Sequence, residues 1–275
     1  MPTVTSKDGT TIAYDKAGQG PAVILVEGAM GSRAASAGLA KLLAPAFTGY
    51  SYERRGRGES TDTKPYAVQR EVEDIEALIE SAGEATCVYG ISSGGALALE
   101  AAAQLKGKVK KLAIYEVPYD SSESGIKAWR EYRTKLSELV EADRRGDAAA
   151  LFMKFVGVPD EMIEGMRHAP MWQGAKAIAP TLVYDAAVLG EERTIPTEQA
   201  STITAHTLIM DGGESYRSMP FMRMTAEVLT KAIPNAHHRV IESQGHDVDS
   251  KVLAPVLTAF FQKENESTID PVVNG

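Results

Sequence analysis

Two hydrophobic periods alternate along the chain, and each change of period marks the boundary of a predicted element. The segment "AVILVEG" is a continuous branched aliphatic run that ends in glycine, which is typical of a strand buried on both faces of a parallel sheet. "VQREVEDIEALIESAG" repeats apolar residues at helical spacing and closes on glycine, which predicts an amphipathic helix. "ATCVYG" and "VKKLAIYEVP" predict two further buried strands. "TTIAYDKAG" alternates in the manner of an edge strand.

This order of elements predicts an α/β protein with a mostly parallel central sheet and helices on both faces. The alternation stops after the sixth core strand, where residues 120–202 show almost only helical patterns. Strands and helices alternate again beyond this segment. We therefore predict a discontinuous α/β core at residues 1–119 and 203–265, a helical cap at 120–202, and a loose tail at 266–275.

Composition and charge exclude several classes of partner. The chain has 275 residues, of which 44% are hydrophobic and 24% charged, as in ordinary globular proteins. Its formal net charge of −8 disfavours nucleic acid and anionic membrane surfaces as partners. No apolar run approaches the about 20 residues of a membrane span, and the segment "MPTVTSKDGT" has no apolar signal region.

Cys87 is the only cysteine and lies in the apolar run "ATCVYG", so we interpret it as a buried core residue. A single cysteine can build neither a disulfide framework nor a cysteine metal cluster. We expect a cytoplasmic protein that uses no metal and no cofactor and that acts on a small molecule. The sequence carries no signal for an oligomeric state.

Candidate chemistry begins at Gly90-Ile91-Ser92-Ser93-Gly94, which fits the pattern G-x-S-x-G. In a nucleophile elbow the serine stands on a tight turn between a strand and a helix, so its neighbours must be small. Both contexts are present here, because "ATCVYG" predicts the strand and "GALALEAA" the helix. Ser92 is therefore predicted at the carboxyl end of a strand, near the positive end of a helix dipole.

Together with this elbow, three further segments make the chain resemble the α/β-hydrolase family over nearly its whole length. "VEGAMGSR" is similar to the family's oxyanion loop, "YERRGRGES" to its glycine-rich loop, and "SQGHDVD" to its catalytic-histidine loop. The predicted helical insertion is similar to the family's cap. Because a fold does not define a substrate, the resemblance implies much about architecture and little about specificity.

A serine nucleophile needs a base, and the resemblance implies His246 for this role. The alternative interpretation of His246 is an ordinary histidine of a surface loop. His168 lies in the predicted insertion, and ordinary polar roles are expected for His206, His237 and His238 at the starts of strands.

The acid that would complete a triad with Ser92 and His246 departs from the common family pattern. In that pattern an aspartate stands at the fourth position of the turn that follows the first strand after the cap. Ser215 occupies that position here. Haloalkane dehalogenases are a family variant with the acid at the end of the sixth strand, and Glu116 stands at the corresponding point of this chain. A triad needs a carboxylate to hold the imidazole, so we favour Glu116. Asp211, Glu214 and Asp120 are left open as alternative acids. For Glu116 itself, the alternative role is a structural ion pair beneath the cap.

The second departure is Glu27, which replaces the histidine that usually precedes the oxyanion glycine. The oxyanion donors are backbone N–H groups, and the resemblance assigns them to Ala29 and Ser93. One interpretation of Glu27 is a salt bridge to Arg54, Arg55 or Arg57. The other is an additional acid near the site that adapts it to chemistry beyond simple ester hydrolysis.

These residues predict a carboxylesterase-like serine hydrolase that cleaves a small, fairly hydrophobic ester, thioester or lactone through an acyl-enzyme. The serine at the elbow argues against haloalkane dehalogenase and epoxide hydrolase chemistry, which in this family use aspartate there. Two alternatives remain open: hydrolysis of a carbon–carbon bond or another non-ester bond, and a ligand-binding protein with a vestigial site.

Overall fold

The computed structural model describes residues 1–263, and its centre is an eight-stranded sheet. The predicted tail at 266–275 lies outside the described residues. The strands are β1 (Thr3–Thr5), β2 (Thr11–Ala17), β3 (Ala22–Val26), β4 (Thr48–Tyr52), β5 (Thr86–Ile91), β6 (Val109–Tyr115), β7 (His206–Gly212) and β8 (Ala236–Ile241). Their spatial order is β1-β2-β4-β3-β5-β6-β7-β8. β1 and β2 are antiparallel to their neighbours, and the strands from β4 to β8 are parallel.

Helices cover both faces of this sheet, as predicted. The helices of residues 1–263, including those of the segment between β6 and β7, are α1 (Arg33–Leu43), α2 (Val68–Ala82), α3 (Ser93–Leu105), α4 (Glu123–Glu141), α5 (Arg145–Phe155), α6 (Asp160–Arg167), α7 (Trp172–Ile178), α8 (Leu182–Val188), α9 (Thr197–Ala200), α10 (Ser215–Ser218), α11 (Pro220–Ala232) and α12 (Ser250–Gln262). None of the helices within residues 1–263 is both long and apolar enough to cross a bilayer.

The continuous apolar runs of the central strands supply two cores, one on each face of the sheet. In β3, Ile24 and Val26 pack with α2 and α3, whereas Val23 and Leu25 pack with α1 and α12. Every residue of β3 is buried, because a central parallel strand is covered on both sides. This confirms the predicted α/β architecture.

One predicted strand is present, but its predicted place at the edge of the sheet is wrong. The segment "TTIAYDKAG" forms β2, which is the second strand of the sheet and not its edge. The edge is β1, which pairs with β2 from Thr3 to Thr5. Three residues are too few to show an alternating pattern, so the sequence did not indicate this strand.

Helices α4 to α9 stand between β6 and β7, and we call this segment the helical insertion. Its boundaries as a cap at 120 and 202 stay a prediction. α8 packs against α2 and α3, which brings the insertion next to the carboxyl ends of β3, β4 and β5.

Candidate active site

Ser92 stands at a sharp turn between β5 and α3. Its backbone has φ 56° and ψ −132°, a combination that is strained for a residue with a side chain and costs about 1–3 kcal/mol. A Cβ atom on Gly90 would lie 2.5 Å from the Gly94 carbonyl oxygen, and one on Gly94 would overlap the Val26 carbonyl oxygen. Backbone contacts therefore require both glycines of the G-x-S-x-G pattern.

Glu116 follows the last residue of β6, the strand beside the elbow strand. Its side chain is fully buried, and its backbone has a positive φ of 46°. The carboxylate Oε1 accepts a hydrogen bond of 2.8 Å from the Gly212 amide. Oε2 lies 2.8 Å from Nδ1 of His246. The structure thus brings Glu116 and His246 together across 130 positions of sequence.

His246 lies in the loop after β8, and two hydrogen bonds hold that loop. The Tyr115 hydroxyl donates to the Gly245 carbonyl over 2.6 Å, and the Glu214 amide donates to the Gln244 carbonyl over 2.9 Å. Because a carboxylate only accepts, Nδ1 of His246 carries the hydrogen toward Glu116, and Nε2 remains the basic nitrogen. The His246 side chain is 33% exposed, so this imidazole is accessible although the carboxylate that it contacts is buried.

No hydrogen bond joins the Ser92 hydroxyl to His246 within residues 1–263. Bonds of this kind are often long before substrate binds and shorten in the reacting complex.

The alternative acids Asp211 and Asp120 bind other groups, and Glu214 is exposed to solvent. Asp211 is paired with Arg223 over 3.0 Å and with His238. Asp120 bonds to Ser122 and Arg193, and the Glu214 side chain is exposed. Ser215, at the position where the family pattern has its acid, is buried, and its hydroxyl has no partner among the described residues. Of the four carboxylates considered from sequence, Glu116 alone contacts His246 within residues 1–263.

The loop that carries Ala29 touches the elbow. A Cβ atom on Gly28 would lie 3.0 Å from the Ser92 Cβ and 3.5 Å from its hydroxyl oxygen. Ser93 is the first residue of α3, and the first amides of a helix have no intrahelical acceptor. Neither the Ala29 nor the Ser93 amide donates to another protein group in the described part of the chain. Both amides are therefore available beside Ser92.

Glu27 does not form the salt bridge considered from sequence. The three arginines of the neighbouring loop pair with other acids: Arg54 with Glu71 and Asp185, Arg55 with Asp8 and Asp74, and Arg57 with Asp185. The Glu27 side chain packs instead against Gly31. Burial raises the pKa of Glu27 to about 7, against the opposing effects of the Arg57 charge and a hydrogen bond from Ser36. Near neutral pH this carboxyl group is therefore partly protonated.

The raised pKa predicts a pH-dependent stability that Glu27→Gln removes. The folded protein binds the Glu27 proton more tightly than the unfolded chain, so stability falls as pH rises from about 4.5 through about 7. We expect the free energy of unfolding of the wild type, relative to Glu27→Gln, to decrease by up to about 3 kcal/mol over this window. Urea denaturation of both proteins at pH 5 and pH 8 measures the difference, and an equal change in both contradicts it.

The activity of the same variant tests the second interpretation of Glu27. If Glu27→Gln leaves both the rate and its pH profile unchanged, only a structural role remains.

Sequence reasoning missed two hydrogen bonds that hold Glu116 and the loop of His246. The Gly212 amide holds Glu116, and the Tyr115 hydroxyl holds the histidine loop. Neither carries a sequence signal, because a backbone amide and a strand tyrosine are common features of any sheet. For metal binding, no group of three or more His, Cys, Asp or Glu side chains within residues 1–263 is placed to hold one ion.

Comparison with known proteins gives a family match over most of the chain. Residues 23–250 match the model described as "Alpha/beta hydrolase family". An alpha/beta hydrolase from Sphaerobacter thermophilus is 47% identical, with a TM-score of 0.85 over 94% of this chain and 100% of the other.

More distant solved structures share the fold. An esterase from Exiguobacterium antarcticum is 20% identical, with a TM-score of 0.72 over 95% of this chain and 99% of the other. A meta-cleavage product hydrolase from Pseudomonas fluorescens is 19% identical, with a TM-score of 0.65 over 95% of this chain and 97% of the other. At these identities the likeness concerns architecture alone.

Proposed function

Because the chain belongs to the alpha/beta hydrolase family, we propose that it is a serine hydrolase that cleaves a small, fairly hydrophobic ester, thioester or lactone. The observation that carries this proposal is the 2.8 Å contact of Glu116 with His246. The strained turn at Ser92 is tied to the same strand end, because the Ser92 amide donates to the carbonyl of Tyr115, the residue before Glu116, over 2.9 Å. An esterase shares the fold, which is compatible with this chemistry.

In the proposed reaction, the Ser92 hydroxyl attacks the acyl carbon while Nε2 of His246 takes its proton. Glu116 keeps Nδ1 protonated and stabilises the imidazolium that forms. The negative charge on the substrate oxygen is held by the amides of Ala29 and Ser93. His246 then gives the proton to the leaving group, and water, activated by His246, releases the acyl group from Ser92.

The surroundings support an apolar acyl group. Ala29 and Met30 pack against the same apolar cluster that contains Trp129 and Leu182 of the helical insertion. We infer that a substrate held next to the oxyanion loop has largely apolar surroundings, because this loop packs against a core that the insertion shares. This favours a small hydrophobic substrate over a charged one.

Labelling with a fluorophosphonate tests the proposal directly. This probe forms a covalent bond with an activated serine, and mass spectrometry locates the adduct. We expect one adduct, on Ser92, and hydrolysis of p-nitrophenyl esters with a maximum at short or medium acyl chains. The matched control is Ser215→Ala, which removes a buried serine hydroxyl outside the acid–base pair and is expected to label like the wild type.

Folded wild-type protein that neither labels nor hydrolyses any ester contradicts the proposal and favours a ligand-binding protein with a vestigial site. Labelling without ester hydrolysis favours carbon–carbon bond hydrolysis or another non-ester reaction.

A further inference from the structure

A buried charge network joins the helical insertion to the nucleophile elbow. Asp185 lies on α8 and is 4% exposed. Its Oδ1 accepts a hydrogen bond of 2.8 Å from the hydroxyl of Ser93 and another from Arg54. Its Oδ2 accepts a hydrogen bond of 2.6 Å from Arg57. A carboxylate of the insertion thus holds the residue whose amide is assigned to the oxyanion hole.

Arg57 extends the network to the second oxyanion donor. This residue is 1% exposed, and its Nη1 donates to the carbonyl of Gly28 over 2.7 Å and to that of Gly31 over 3.2 Å. Its Nε donates to the hydroxyl of Thr181 over 2.9 Å. The loop that carries Ala29 is therefore bonded to the insertion through one guanidinium group.

The charges of the network balance only when the insertion is in place. Arg54 also forms a bidentate pair with Glu71, at 2.7 and 2.8 Å, so two guanidinium groups face two carboxylates. Burial alone would raise the pKa of Asp185. The charges of Arg54 and Arg57 outweigh this effect and bring that pKa below its ordinary value. Without Asp185, Arg57 would be a buried cation with no hydrogen-bonded carboxylate among the described residues, which is an unfavourable state.

We propose that Asp185 is a positioning residue that couples docking of the helical insertion to assembly of the oxyanion hole. It holds Ser93 directly and the Gly28–Ala29 loop through Arg57. Oxyanion donors act only when they lie about 2.7–3.1 Å from the developing charge, and a shift of about 1 Å can cost about 100-fold in rate. This proposal rests on the serine hydrolase function proposed above.

Two variants remove the contact at different points, and a third is the matched control. Asp185→Asn removes the charge that holds Arg57, and Ser93→Ala removes the hydroxyl bond but keeps the amide. Asp74→Asn breaks another buried aspartate–arginine pair in which both partners are at most 1% exposed, since Asp74 binds Arg55 at 2.7 and 2.8 Å. That pair contacts neither the elbow nor the Ala29 loop.

The readouts are kcat and KM for an ester, the inhibition constant of a trifluoromethyl ketone, and the melting temperature. The ketone forms a bond from its carbonyl carbon to the serine oxygen, so its own oxygen becomes the anion held by the two amides. We expect kcat to fall about 100-fold in Asp185→Asn and about 10-fold in Ser93→Ala, with KM within about 3-fold. Binding of the ketone should weaken by the same factor as kcat/KM falls. Asp74→Asn should lower the melting temperature but keep kcat and ketone affinity.

The outcomes separate this proposal from the function on which it rests. If fluorophosphonate labels the wild type but Asp185→Asn keeps kcat and ketone affinity, the positioning role is wrong and the hydrolase function stands. Equal losses of kcat in Asp74→Asn and Asp185→Asn also overturn it, because lowered stability then explains both. If Asp185→Asn does not fold, unchanged ketone affinity in Ser93→Ala overturns it. An unlabelled, inactive wild type contradicts the hydrolase function, and the positioning role falls with it.

Discussion

Replacement of Ser92 by alanine is expected to lower kcat about 10⁶-fold, the largest effect of any substitution in this chain. The change removes the proposed nucleophilic hydroxyl and leaves the two proposed oxyanion amides in place. The residual rate should therefore still exceed the uncatalysed rate. Ester hydrolysis at high enzyme concentration, with the fold checked by circular dichroism, measures the loss.

The strain at Ser92 gives this prediction a second readout. Alanine keeps the Cβ atom that makes φ 56° and ψ −132° unfavourable, whereas glycine adopts this region readily. We expect Ser92→Gly to be inactive like Ser92→Ala but more stable by about 1 kcal/mol in the free energy of unfolding. Equal stabilities of the two variants would argue that the turn is not strained.

Ser215→Ala is the control for the loss of a serine hydroxyl. Because the Ser215 hydroxyl is buried without a partner among the described residues, its removal leaves no acceptor or donor unpaired. We expect unchanged kcat and unchanged or slightly higher stability. A Ser92→Ala variant that retains more than a few per cent of wild-type kcat would show that another group is the nucleophile.

Replacement of Glu116 by glutamine is expected to lower kcat about 10³–10⁴-fold. The glutamine amide can present an N–H to Nδ1 of His246, which selects the imidazole tautomer that cannot accept the serine proton at Nε2. The charge that stabilises the imidazolium is lost at the same time. KM should change little, because Glu116 is buried behind the histidine, and steady-state kinetics therefore shows the effect in kcat.

The matched control is Asp211→Asn on the neighbouring strand. Asp211 is as buried as Glu116, but it pairs with Arg223 and His238. We expect lower stability with kcat within about 3-fold of wild type, because the buried pair that is broken contacts neither Glu116 nor His246 within residues 1–263. Full activity of Glu116→Gln together with a large loss in Asp211→Asn would move the acid role to Asp211.

Much of the fold follows from local pattern. β3 and β5 are continuous apolar runs, and α2 repeats apolar residues at helical spacing, so each is visible within a short window. The elbow is also local, because a strand, a glycine-flanked serine and a helix are consecutive in the chain. β1 escaped prediction because its three residues carry no pattern of their own. They form a strand only because they pair with β2.

The sequence by itself determined the alternation of strands and helices from β2 onward, the elbow at Ser92, and the short set of carboxylates from which an acid could come. Only the tertiary structure decided which of them reaches His246, because Glu116 and His246 are 130 positions apart and meet through parallel strand pairing. It also decided that Arg54, Arg55 and Arg57 pair with carboxylates other than Glu27, and that Asp185 binds two of these arginines. Hydrophobic periodicity reports local burial, whereas charge pairing depends on which distant segments the packing brings together.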